Sequence, residues 1–391
     1  RRRSAPGVRA VTDPGSLSAE GAMPSSEESR SGRVFLSIIA AGFLAALAVR
    51  LALLFTFPGN FDSESYRVVA AIAERGGDIY TETWRYNYSP VWAEILRGLD
   101  RARAALKLDL TRAVGLTLTA ADLATGALLY LLARRRSVPR RAALVALLFF
   151  ANPVSILLSS FHGQFDNLSI LFLLAAILVA GKEGIRGPLT VASLSLSLCL
   201  KHVTWFHPLL FAWHRRRGFS LAAATVPYVV LLSSFLPYWP SWRNILDHVF
   251  LYRGLPRRYG LDVLLLLFPG MPSWVLTAVL LVAMLVALVV LARVEISRAS
   301  LLLFLVQLIF LPGIARQYCV WPVALGALFP SAGYFVYTLV ATGFLVGWLP
   351  AWNGIWWAAI AWLLWEVFAL SRRRVLATDS PTLPFAAGVR P

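Results

Sequence analysis

Residues 34–57 read VFLSIIAAGFLAALAVRLALLFTF, an apolar run broken by a single charge, Arg50. A bilayer hydrocarbon core about 30 Å thick takes roughly 20 apolar residues per helix, so this stretch predicts a membrane-crossing helix. It is too long for a signal-peptide core, and no small-residue cleavage site follows it. Similar runs recur to residue 370 in a chain of 391 residues that is 58% hydrophobic, with 14 Trp and 23 Phe. The sequence therefore predicts an all-α, polytopic transmembrane bundle of about 12 helices, each crossing closed by its own hydrogen bonds.

Charge orients the bundle. The formal net charge of +17 invites a nucleic-acid reading, but the basic residues fall in short clusters between apolar runs: RRRSVPRR (134–141), HRRR (214–217) and SRRR (371–374). Such clusters mark cytoplasmic loops. Residues 1–33, rich in Ser, Gly, Pro and charge, are expected to be a disordered cytoplasmic tail, followed by a transmembrane domain over 34–371 and a cytoplasmic C-terminal tail over 372–391. Residues 58–110 form a first external loop carrying short amphipathic surface helices, and 239–260 a second external loop. Residues 188–213 are too few for two full spans, which predicts two short helices meeting near Lys201 and His202. Cys199 and Cys319 sit in apolar context and predict neither a disulfide framework nor a metal site.

The chemistry-bearing residues gather at the predicted outer side. The first loop begins NFDSESYRVVAAIAERGG, with Val69, Ala70 and Ala73 on one helical face and Gly76–Gly77 as the stop. Asp62, at the start of that helix, reads either as an N-cap or as a carboxylate that takes a proton from an attacking hydroxyl, and Glu64 is the competing base. Arg85, Tyr86 and Tyr88 in WRYNYSP interleave aromatic and polar groups, as a sugar surface or an interfacial aromatic belt does. The knot SSFHGQFDNLS (159–169) brings His162, Gln164, Asp166 and Asn167 together. One helix cap needs one acceptor, whereas a polar ligand needs several groups facing one point. Lys201 and His202 in LCLKHVTWFHP lie at membrane depth, where a charge is costly and marks function. Arg316, Gln317 and Tyr318 in GIARQYCVWP lie at a further break; the arginine either grips phosphate or snorkels to the interface. Arg50 and Asp122 fall at matching depths of two antiparallel helices and are expected to form a structural ion pair.

In order and in shared side, NFDSESY, the Tyr86–Pro90 element, NPVSILLSSFHGQFDN, LKHVTWFHP and QYCVWP resemble the GT-C superfamily of polytopic glycosyltransferases, over roughly residues 35–330. The likeness is to relatives of the polyprenyl-phosphomannose mannosyltransferases and dolichyl-phosphate-glucose glucosyltransferases. It implies an inverting hexosyltransferase of cell-envelope glycan biosynthesis that moves a sugar, with mannose expected, from a polyprenyl-phosphate donor to a lipid or glycan acceptor at the extracytoplasmic face. It implies Asp62 or Glu64 as base, Lys201, His202 and Arg316 at the donor phosphate, and Arg85, Tyr86, Tyr88, His162, Gln164, Asp166, Gln317 and Tyr318 around sugar and acceptor. The expected cofactor is none: no phosphate-cradling Gly-rich loop occurs, and one or two acids make a poor site for a divalent metal. The competing reading is a polytopic transporter or lipid flippase, whose charges would line a path through the bilayer. A third is a scaffold in which Asp62 and the knot are only caps.

Overall fold

The computed structural model describes residues 26–214, 219–252, 260–347 and 352–378. Among these residues every regular element is helical. The helices α1 (Ser26–Thr56), α4 (Leu110–Arg134) and α13 (Ser273–Leu291) are long and apolar enough to cross a membrane. Two bent pairs raise the number to five if each is one span: α5 (Pro139–Phe150) with α6 (Pro153–Ile156) and the turn Leu157–Phe161, bent by 46°, and α10 (Leu221–Ser234) with the segment Leu236–Phe250, bent by 68°.

That count falls short of the twelve crossings expected, and the reason is local. Several apolar runs are cut by proline, which removes an N–H and disfavours helix in the residue before it. Pro153 breaks the first pair and Pro237 and Pro240 the second, while α8 (Pro188–Leu200), α14 (Ile296–Phe310) and α16 (Ala332–Val346) are apolar but too short to span alone. The expected short pair at 188–213 is present as α8 and α9 (His207–Ala212), joined through a 3₁₀ turn at His202–Thr204. The tails differ from expectation in part. Residues 26–33 form the first turns of α1, and residues 372–378 continue α17 (Trp352–Thr378). Residues 1–25 and 379–391, the arginines at 215–217 and residues 253–259 of the second loop lie outside the described residues.

The first loop folds onto the bundle through aromatic rings. Its helix α2 (Phe61–Glu74) begins at a capping box in which the Asn60 side chain accepts from the Ser63 N–H at 2.9 Å and Ser63 Oγ accepts from the Asn60 N–H at 2.7 Å. The apolar face predicted from periodicity, Val69, Ala70 and Ala73, is buried against α3 (Pro90–Leu106) and α4. Trp92 of α3 stacks on Phe165 of the knot at 4.0 Å between centroids, and Tyr66 and Tyr88 meet Phe165 edge-on. Burying such rings contributes more than their area alone, because edge and offset geometries suit their quadrupoles. Phe165 thereby fixes the loop against α7 (Asp166–Glu183).

Deeper in the bundle Arg50 and Asp122 pair as expected, Nη1 to Oδ2 at 2.6 Å, both fully buried. The break before Pro153 supplies the remaining partners. Val154 turns its N–H to Asn152 Oδ1 at 3.0 Å, which leaves the Phe150 carbonyl to accept from Arg50 Nη2 at 2.9 Å and Nε at 3.2 Å. Ser155 Oγ accepts from Arg50 at 3.0 Å, and Asn167 Nδ2 donates to Asp122 Oδ1 at 2.8 Å. A buried ion pair overcomes its desolvation only when such extra bonds complete it.

Candidate functional site

Asp62 is the second residue of α2, and it does not cap that helix, because Asn60 already does. Its carboxylate instead accepts from Gln164 Nε2 at 2.6 Å, across about a hundred residues of chain. Gln164 Oε1 in turn accepts from Lys201 Nζ at 3.4 Å. With an acceptor on one side and an ammonium on the other, only this orientation of the carboxamide satisfies both neighbours. Lys201 Nζ also donates to Asp166 Oδ2, and Asp166 Oδ1 accepts from Trp321 Nε1 at 2.8 Å. Asp62, Gln164, Lys201, Asp166 and Trp321 thus form one continuous hydrogen-bonded chain that joins five parts of the fold.

Local structure aims each member. Gly163, at φ +67°, turns the chain after the π-helical turn Leu157–Phe161, a conformation that other residues adopt at a cost. The Gln164 N–H then closes the turn on Leu158 O at 3.0 Å. Asp166 opens α7 without capping it; the N-cap residue is Phe165, which makes no side-chain cap bond. Lys201 ends α8 in extended conformation at the break, and its ammonium lies over the faces of Phe165 at 4.7 Å and Tyr88 at 5.1 Å, where the rings' negative faces replace lost water. Trp321 starts α15 (Trp321–Ala327) after the 3₁₀ turn Arg316–Val320.

The electrostatics follow. Lys201 and Asp166 are buried, whereas Asp62 is half-buried. Burial raises the Asp62 carboxyl above the usual range, the Lys201 charge and the Gln164 hydrogen bond hold it back, and Asp166 pushes it up further. A raised carboxyl is a better proton acceptor near neutral pH than an exposed one. The Tyr66 hydroxyl, buried with no hydrogen-bond partner among the described residues, is pushed up by burial and by the charges of Asp62 and Asp166.

The other predicted residues divide. Glu64 is exposed and pairs with Arg67 at 3.3 Å, so it turns away from the chain that holds Asp62. Tyr86 is spent on the loop: its hydroxyl donates to Ser89 O at 2.5 Å and accepts from the Ala93 N–H at 2.9 Å. Arg85 lies over the ring of Phe61, next to Asp62, at 4.8 Å, and its buried Nη1 has no hydrogen-bond partner among the described residues. His162 ties the knot to α2 through its carbonyl, which accepts from Asn60 Nδ2 at 3.0 Å. Burial first, and then the Arg316 charge, depress the basicity of its ring. Arg316 is exposed, Gln317 is half-buried in the same 3₁₀ turn, and the Tyr318 ring packs on Trp321 at 4.4 Å. Cys199 and Cys319 are buried free thiols.

Beside this chain lies a cavity of about 840 Å³. Most of its wall is apolar, from α8, α10, α13 and the 261–271 segment, while His202, Gln307, Tyr318 and Trp321 line it as well. Trp321 therefore belongs to both, its indole N–H bonded to Asp166 and its ring on the cavity wall. Tyr252 also lines the cavity, and its hydroxyl is raised by burial and then by the Asp62 charge. Pockets of this size and composition suit an amphiphile with few polar contacts. Among the described residues, no three His, Cys, Asp or Glu come together as metal ligands do.

Sequence reasoning missed Gln307, Tyr66 and the role of Trp321 as a donor. An isolated Gln inside an apolar helix, ISRASLLLFLVQLIF, was the available signal for Gln307. Compared with protein-family models, with curated proteins and with solved structures, the chain matches none.

Proposed function

We propose that the chain is an integral-membrane, inverting glycosyltransferase of GT-C type that transfers a sugar from a polyprenyl-phosphate donor to a hydroxyl acceptor at the extracytoplasmic face. The observation that carries this reading is the freedom of Asp62 from capping together with its place in a hydrogen-bonded chain that ends on the cavity wall. In this reading the cavity receives the apolar part of the donor, and Asp62 stands where the acceptor approaches.

The acceptor oxygen attacks the anomeric carbon while the bond from that carbon to the phosphate oxygen breaks. The acceptor proton passes to the Asp62 carboxylate, and the lipid phosphate leaves with the bonding electron pair. Gln164 and Lys201 hold Asp62 in place and temper its basicity. Since Lys201 is committed to Asp166 and Gln164, the developing phosphate charge falls to the cations Arg316 and Arg85, each with N–H groups to offer, while His202 on the wall adds a neutral N–H donor. Fixed cations at a leaving group lower the barrier because they need no reorganisation when charge develops.

The test is transfer. Purified protein in nanodiscs is given radiolabelled polyprenyl-phosphate-mannose or polyprenyl-phosphate-glucose with a crude lipid extract as acceptor. Turnover of one donor that disappears in Asp62→Asn supports the reading. Absence of turnover from both donors in folded protein, together with movement of the lipid across the bilayer, would replace it with a flippase.

A further inference from the structure

The cavity wall contains an amide acceptor, Gln307 Oε1, that neither a hydrocarbon chain nor any described residue satisfies. Gln307, near the end of α14, is only 5% exposed, and its buried Oε1 has no hydrogen-bond partner among the described residues. A buried acceptor left unpaired is costly, and in native proteins each such group calls for an explanation. Phe304, one turn earlier on the same face of α14, meets the Trp321 ring at 6.0 Å between centroids. Gln307 lines the same cavity as Trp321, whose indole bonds Asp166, and as Tyr318 and His202.

The chemistry of the ligand narrows what Gln307 meets. A polyprenyl chain has no hydrogen-bond donor, and an ionised phosphodiester has none either. In such a donor only the sugar carries O–H groups. We infer that Gln307 is a specificity residue whose carboxamide binds one hydroxyl of the donor sugar. The inference rests on the glycosyltransferase reading above and adds to it the group that reads the sugar. A carboxamide presents an acceptor on one side and donors on the other and exchanges them by rotation, so it fits a hydroxyl, which both gives and takes a hydrogen bond. A site built to bond a hydroxyl rejects the analogue lacking it far more strongly than an apolar pocket rejects a missing methylene.

The experiment is equilibrium binding without acceptor, so that only the donor occupies the cavity. Wild-type protein in nanodiscs is titrated with farnesyl phosphate, with farnesyl-phosphate-mannose and farnesyl-phosphate-glucose, and with the monodeoxy analogues of whichever glycosylated lipid binds. The expected result is tighter binding of one glycosylated lipid than of farnesyl phosphate, and a loss of about tenfold or more for one deoxy analogue. Gln307→Met, which keeps the volume, is expected to weaken the full sugar to the level of that deoxy analogue and to leave farnesyl phosphate unchanged. If the wild type binds neither glycosylated lipid better than farnesyl phosphate, both this inference and the glycosyltransferase reading fall. Equal binding of all deoxy analogues by the wild type overturns the role of Gln307 alone, as does a Gln307→Met protein that retains the full discrimination, in which case a water satisfies the carboxamide. The wild-type deoxy series decides the matter by itself should the variant fail to fold.

Discussion

Asp166 and Asn167 are neighbours at the start of α7, yet each serves a different buried ion pair. Asn167 donates to Asp122, the partner of Arg50, whereas Asp166 is the partner of Lys201. The first pair is closed: Arg50 also bonds the Phe150 carbonyl and Ser155, and Asp122 also accepts from Ser155 at 3.3 Å, all within packed helices. The second is open. It continues through Gln164 to the half-buried Asp62 and through Trp321 to the cavity wall. Adjacent residues thus serve a closed clamp in one place and an open chain in the other, and the difference lies in what each chain ends on.

Breaking the closed pair gives the largest expected effect. Arg50→Met or Asp122→Leu alone leaves one buried charge unpaired, which costs about 3–5 kcal/mol in unfolding of detergent-solubilised protein. Replacing both together is expected to restore most of that loss and to retain turnover. A double replacement as damaging as either single change would show that the pair does more than hold the helices.

In the open chain the order of effects reverses. Asp62→Asn is expected to lower turnover by about two orders of magnitude or more while the unfolding midpoint stays near that of the parent. Gln164→Leu removes a hydrogen bond that favours the ionised form of Asp62. The Asp62 carboxyl, already raised by burial, then rises further. The base must be ionised to act, so the acid limb of the pH–turnover profile moves to higher pH; a limb that stays or moves down would contradict the link. The smallest effect belongs to Glu64→Gln. Because this side chain is exposed and, among the described residues, pairs with Arg67, turnover is expected to stay within about twofold, as exposed charges contribute little.

Much of this arrangement was legible in the residues. Long apolar runs announced the helices, the shortness of 188–213 announced the break near Lys201, and the density of polar groups in HGQFDN announced a polar cluster, because periodicity and the cost of burying charge act locally. The pairing of Arg50 with Asp122 followed from depth along two antiparallel helices. Which of Asp62 and Glu64 faces the knot did not, since it turns on the side of α2 that meets Phe165, where Tyr66 packs edge-on. Among the described residues three to five helices are long and apolar enough to cross, fewer than the apolar runs suggested, because hydropathy does not register where proline divides a run. The assignment of Lys201 to phosphate failed to foresee Asp166, thirty-five residues earlier in the chain but bonded to it in space.

The most direct test compares initial rates of sugar transfer by the parent, Asp62→Asn, Glu64→Gln and the Arg50→Met/Asp122→Leu double variant, all in the same nanodiscs and with the same donor. The account predicts transfer by the parent, Glu64→Gln and the double variant, and a loss of at least about a hundredfold in Asp62→Asn alone. Transfer retained by Asp62→Asn and lost in Glu64→Gln would contradict it.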